Sequence, residues 1–180
     1  MHPARLRMAA IAVLGGTAVL GSYVHGFATY PDTVAAMWGG VPDALRPLYT
    51  AWMFVAAAGF FAYASWLFQG VDPEAARVGR FGFDLFNVLY VGILVPSALW
   101  MPLTRILLEA SEPAAAVWWW VVRVDLWIVA VASLGLIAAL LAVRPRPFPR
   151  WHRLAVIGAC AFAFQTAVLD ALIWPLYFPR

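Results

Sequence analysis

The sequence predicts an all-α membrane protein, a bundle of five transmembrane helices, and three observations carry that expectation. Hydrophobic residues make up 64% of the 180 and charged residues only 12%. Apolar runs recur at about twenty residues, the length that crosses a hydrocarbon core roughly 30 Å thick. Those runs are continuous and rich in Ala and Leu, whereas barrel strands would alternate apolar and polar residues over about ten positions.

The spans follow in order. The first covers about Met8 to Thr29; it is kept as a helix because Gly21-Ser22-Tyr23-Val24-His25-Gly26 offers no small-residue cleavage site of the kind that ends a signal peptide. The second covers Leu48 to Phe68, after the turn formers Pro31-Asp32 and Gly39-Gly40-Val41-Pro42-Asp43. Gly70-Val71-Asp72-Pro73 separates it from the third, Phe81 to Leu108. Ser111-Glu112-Pro113 precedes the fourth, Ala115 to Val143, and Arg144-Pro145-Arg146-Pro147-Phe148-Pro149 precedes the fifth, Arg153 to Tyr177. Proline restricts the residue before it and cannot continue a helix unkinked, so these clusters mark helix ends. No connection is long enough for a soluble domain, and residues 1–180 read as one domain.

Arginine sets the expected orientation, since the chain has no lysine. Arg5, Arg7, Arg77, Arg80, Arg144, Arg146, Arg150 and Arg153 fall on one side of the five spans, and only Arg46, Arg105 and Arg180 on the other. Cytoplasmic loops carry the excess of basic residues, which predicts a multi-pass protein of the cell membrane with the N-terminus cytoplasmic and the C-terminus outside. No basic cluster resembles a nucleic-acid footprint, so nucleic acid is not an expected partner.

Several chemistries lack support. Cys160 is the single cysteine and cannot form an intrachain disulfide. The histidines are His2, His25 and His152, and no His/Cys/carboxylate spacing suits a metal or two axial haem ligands. No phosphate-binding glycine loop or nucleophile elbow is present. The chain does not read as an enzyme and no cofactor is expected.

Four ionisable residues, Asp84, Arg123, Asp125 and Asp170, fall inside predicted spans. A charge at the bilayer centre costs about 2.5–3.5 kcal/mol on insertion scales, so such residues face one another, a ligand or a water-filled cavity. Asp84 and Asn87 share a helical face near the cytoplasmic start of span three, where a helix-start carboxylate meets the N-terminal dipole. At 1.5 Å per residue, Arg123, Asp125 and Asp170 lie in the outer half with Tyr23, His25, Ser97 and Trp100. Arg123 and Asp125 are two apart and point to different sides of their helix, which makes Asp170 the natural partner of Arg123. Either the two form an interhelical salt bridge, or they face a ligand inside the bundle.

Ten tryptophans provide a second signal. Trp118, Trp119, Trp120, Trp151 and Trp174 fall near predicted interfaces, where an aromatic belt is expected. Trp100 and Trp127 stand beside the polar outer-half set, where they would either pack or line a cleft for a large flat molecule.

Ser97-Ala98-Leu99-Trp100-Met101-Pro102-Leu103 resembles the Asn-Leu-Leu-Trp-Ser-Pro-Leu stretch of the TspO/MBR family, the tryptophan-rich sensory and translocator proteins. Pro47-Leu48-Tyr49-Thr50 resembles that family's Pro-Val-Trp-Thr, Leu126-Trp127 its Leu-Trp, and Thr166-Ala167 with Asp170 to Trp174 its Thr-Ala-Leu-Asn-Trp-Ala-Ile-Trp ending. Ser97 and Asp170 stand where the family has Asn. The loop Met37-Trp38-Gly39-Gly40-Val41-Pro42-Asp43 differs from the family's pattern at that place. The resemblance, over about residues 47–177, implies a divergent TspO-like bundle, often a homodimer, that binds, senses or transports a tetrapyrrole or sterol-like ligand. Carried over by position, Ser97, Trp100, Leu126, Trp127, Asp170 and Trp174 would line its pocket, with Trp38 in the lid. Arg123 would meet a porphyrin propionate; a tetrapyrrole would be a ligand, not a cofactor. Beside membrane lipid, that hydrophobic molecule is the expected partner.

Two other readings remain. One is a small proton- or ion-coupled carrier using Asp170 and Asp84, since intramembrane carboxylates recur in proton relays. The other is an accessory or assembly subunit whose polar residues only hold helices together.

Overall fold

A computed structural model describes residues 2–178; Pro179 and Arg180, which belong to the C-terminal tail and the charge balance, lie outside them. Five helices are long and apolar enough to cross a membrane, and the described residues contain no strand, only two isolated β-bridges. The chain is an all-α, multi-pass membrane protein. Its elements are α1 (Pro3–Thr29), α2 (Pro31–Ala36), α3 (Arg46–Gln69), α4 (Asp84–Glu109), α5 (Ala114–Ala142) and α6 (Pro149–Ala163). The last runs on without a break as a π-helix (Phe164–Ile173) and a final turn, α7 (Trp174–Tyr177).

The expected boundaries shift for local reasons. α1 begins five residues before Met8, because Pro3 occupies its first position and the His2 ring accepts the Ala4 amide at 3.2 Å. α4 begins at Asp84, not Phe81, since Val78 and Phe81 exchange backbone hydrogen bonds in a tight turn ahead of it. α6 starts at Pro149, another proline in a first turn. The short α2 was not expected from the sequence; Pro31 starts it and Gly39, at φ +54°, closes the turn that follows.

The spans do not pack in chain order. α1 packs on α4, α4 on α5, α5 on α6 and its π continuation, and α6 on α3. At the arginine-rich end, Met8, Tyr63, Trp66, Phe86, Tyr90 and Leu140 fill the space between these helices as one continuous core. The connections at that end are tied down as well. Arg77 and Arg144 exchange two backbone hydrogen bonds of 2.8 Å, and the Trp66 indole donates to the Pro147 carbonyl at 3.0 Å. Arg5 donates to the Val71 carbonyl at 2.7 Å, and the His152 ring to that of Leu140 at 2.8 Å.

Small residues set how closely the helices approach. A Cβ on Gly59 of α3 would lie 2.3 Å from the Gly158 carbonyl oxygen of α6, and one on Gly158 would lie 2.6 Å from that of Gly59. Backbone meets backbone there, so neither side can yield. Gly59 is thus a point of close helix approach within the fold, as is Gly15 of α1, where a Cβ would lie 2.8 Å from Leu94 of α4. Gly16 meets nothing within 4 Å. Gly59→Ala and Gly158→Ala should each lower stability in detergent by about 1–3 kcal/mol, the usual cost of overpacking, whereas Gly16→Ala should leave the melting temperature nearly unchanged.

Candidate functional site

The fifth span changes its winding at Phe164, and that change builds the site. In an α-helix, residues five apart point about 140° away from each other; the wider π turn brings i and i+5 onto one side. Gln165 therefore reaches Asp170, its Nε2 donating to Oδ1 at 2.7 Å. Gln165 is buried and its own Oε1 has no hydrogen-bond partner. The Thr166 hydroxyl contacts the Phe162 carbonyl at 3.2 Å and pairs with Ser133 of α5 at 2.8 Å, which pins the π segment against its neighbour.

At this end the apolar core forms two clusters. One apolar cluster holds Tyr49, Leu126, Trp119, Trp174 and Phe178, and another holds Val34, Met37 and Met101; Trp100 packs against both. Tyr23 of α1 stacks on Trp100, with centroids 6.0 Å apart and 21° between planes, and Trp100 meets the edge of Trp174 at 6.1 Å. Tyr23 and Asp170 are half-buried. Tyr49 of α3 adds a hydroxyl that is buried, lacks a partner and lies within electrostatic reach of Asp170. Ser97 shares the α4 face of Trp100, its hydroxyl donating to the Ile93 carbonyl at 2.6 Å.

A lid covers this end. The Trp174 indole donates to the Met37 carbonyl at 2.9 Å, and the Gly40 amide to the Tyr177 carbonyl at 2.6 Å. Glycine is required at 40, where a Cβ would lie 2.8 Å from that same carbonyl. Trp38 meets the edge of Tyr49 at 6.2 Å, beneath the Arg46 guanidinium, which also pairs with Asp43 at 2.9 Å. α7, with Phe178 against Gly39, thus helps to fasten the lid.

The structure gathers Trp38, Ser97, Trp100, Leu126, Asp170 and Trp174 at this end of the bundle, and it separates the other two expected residues from them. Trp127 is 42% exposed on the outer face of α5. Arg123 does not pair with Asp170: its guanidinium lies over the rings of Trp119 and Trp120, 5.6 and 5.9 Å from their centroids. Trp119 in turn packs on Trp174 and stacks on Phe178, so this aromatic wall stands between Arg123 and Trp100. The pairing expected from depth fails because side chains at equal depth face different sides of their helices.

The other two charges also resolve. Asp84 is not deep in a span; it is the first residue of α4, exposed, bound by Arg7 at 2.7 Å and by the Asn87 amide at 2.8 Å. Asp125 is buried, 6% exposed, and its Oδ2 has no partner.

Gln165 and Tyr49 were not read as site residues from the sequence. Tyr49 carries a legible signal, the first position of the buried stripe Tyr49, Ala56, Gly59, Tyr63 and Trp66 on α3. Gln165 carries none, because its tie to Asp170 exists only where the helix is π-wound. Chemically these residues offer a carboxylate, an amide oxygen and a phenol among flat rings, with Arg46 held over Trp38 in the lid. Among the described residues no group of three or more His, Cys, Asp and Glu comes together to hold a metal ion.

Two outcomes follow. Trp174→Phe strands the Met37 carbonyl and should weaken the lid by about 1–3 kcal/mol, read as faster amide exchange over residues 38–43 with the arginine-rich end unchanged. Arg123→Leu and Asp170→Leu should be additive in a double-mutant cycle to within about 0.5 kcal/mol, where a buried ion pair would show strong coupling. No family model, curated protein or solved structure matches the chain.

Proposed function

We propose that this protein binds a large hydrophobic ligand in the lid-end crevice and senses or transports it across or within the membrane. One observation carries the reading: the π-wound Gln165–Asp170 pair, with Asp170 half-buried and the Tyr49 hydroxyl and Gln165 oxygen left without partners. Unsatisfied buried polar atoms cost about 1–3 kcal/mol each, and a ligand with a hydrogen-bonding group would relieve that cost. Aromatic walls with a few converging polar groups are the usual lining of a small-molecule site.

The same groups favour one ligand class over the other. A tetrapyrrole brings propionates, and Arg123, the cation expected to meet them, lies on the far side of the Trp119–Phe178 wall. Propionates beside Asp170 would repel it. A neutral polycyclic molecule with a hydroxyl, sterol-like in shape, would donate to Asp170 and stack on Trp100. The TspO/MBR resemblance supports the same location and leaves both ligands open. Proton coupling between Asp170 and Asp84 has less support, because Asp84 sits at the surface in the grip of Arg7.

The test is saturable energy transfer from tryptophan to a fluorescent sterol bearing a free hydroxyl, with the protein in nanodiscs. Asp170→Asn, which keeps an acceptor, should bind within about threefold of the parent, and Asp170→Leu should lose about tenfold or more. Protoporphyrin should compete weakly. Transfer that never saturates, or that Asp170→Leu leaves unchanged, would contradict the reading.

A further inference from the structure

We propose a second site, separate from the crevice: the groove around Arg123 holds the head of a zwitterionic aminophospholipid, its phosphate on the Arg123 guanidinium and its ammonium against Glu112.

The groove has a volume of about 510 Å³ and is lined by Leu108, Glu112, Trp119, Trp120, Arg123 and Phe178 among others. Arg123 is half-buried, its Nε is shielded and without a partner, and none of the four ion pairs among the described residues includes it. A guanidinium inside a span needs an anion. Side chains on a helix lean toward its N-terminus, and Arg123 accordingly lies along Trp119 and Trp120, pointing to the end of α5 that faces the membrane surface. Its planar fork fits the paired oxygens of a phosphate.

The order of charge selects among anions. Glu112 stands in the connection before α5, exposed at the groove's rim. It lies about 10 Å nearer the surface than the guanidinium at 1.5 Å per residue. Positive below and negative above is the complement of a lipid head with phosphate below and ammonium above. A head with a second anionic or uncharged group gains nothing from Glu112, and a free fatty acid leaves it unanswered. A primary ammonium donates hydrogen bonds to the carboxylate, and the faces of Trp119 and Trp120 attract it further. The acyl chains would run inward from the phosphate along the lipid-facing side of α5, past the exposed Val124, Ile128 and Val131.

Native mass spectrometry of the delipidated protein in mild detergent tests this, with soluble phosphatidylethanolamine, phosphatidylglycerol, oleate and inorganic phosphate as the four probes. The parent should bind one phosphatidylethanolamine about tenfold more tightly than phosphatidylglycerol or oleate, and excess inorganic phosphate should not displace it. Arg123→Gln should lose about tenfold for both phospholipids, while Arg123→Lys keeps most of the binding. Glu112→Gln, at an exposed position that leaves folding intact, should abolish the preference between the two phospholipids. Equal binding of phosphatidylglycerol or oleate by the parent, displacement by inorganic phosphate, or a preference that survives Glu112→Gln would overturn the proposal. So would unchanged binding in Arg123→Gln.

Discussion

A carboxylate inside an apolar bundle has to be answered by the protein itself, and the way Asp170 is answered organises this end of the molecule. The fifth span gives up α-helical winding over Phe164–Ile173, which turns Gln165 to face Asp170. A π-helix is rare because its hydrogen-bond geometry and packing are poorer, and it recurs at functional sites. Here the Thr166–Ser133 contact holds the π segment to α5. The pair is still incompletely satisfied, since Gln165 keeps a free oxygen and Tyr49 a free hydroxyl beside it. An interior that invests rare backbone geometry in a polar pair, and then leaves it short of partners, is arranged for something else to complete it.

The two ends of the bundle divide the work. At the arginine-rich end, a continuous core and backbone ties between connections hold the helices in place, and the Gly59–Gly158 contact locks α3 to α6 at mid-height. Beyond that contact two smaller clusters take over, with Trp174 buried in one and Trp100 packed against both, and the lid is held by hydrogen bonds that a single indole and a single glycine provide. Local opening draws on such regions, where few buried contacts must break.

Much of the scaffold was legible, because hydrophobic length and proline placement are direct consequences of crossing a bilayer. The five spans and the gathering of Trp38, Ser97, Trp100, Leu126, Asp170 and Trp174 at one end follow from depth and from motif. What the sequence hid depends on direction around a helix axis. Arg123 and Asp170 share a level but not a side, Trp127 faces outward, and Gln165 meets Asp170 only through a winding that no residue pattern announces. Asp84 was legible as a helix-start carboxylate, and it stands at the first position of α4 paired with Arg7.

The ten tryptophans give the most direct test of the central claim, that Asp170 and Trp100 face one ligand-accepting crevice. Indole ¹⁵N–¹H resonances would be followed in nanodiscs while a neutral hydroxylated polycyclic ligand is added. Saturable shifts at Trp38, Trp100 and Trp174, with Trp66, Trp120, Trp127 and Trp151 unmoved, are the predicted result. Shifts confined to the outward-facing Trp120, Trp127 and Trp151, with Trp100 and Trp174 silent, would contradict it.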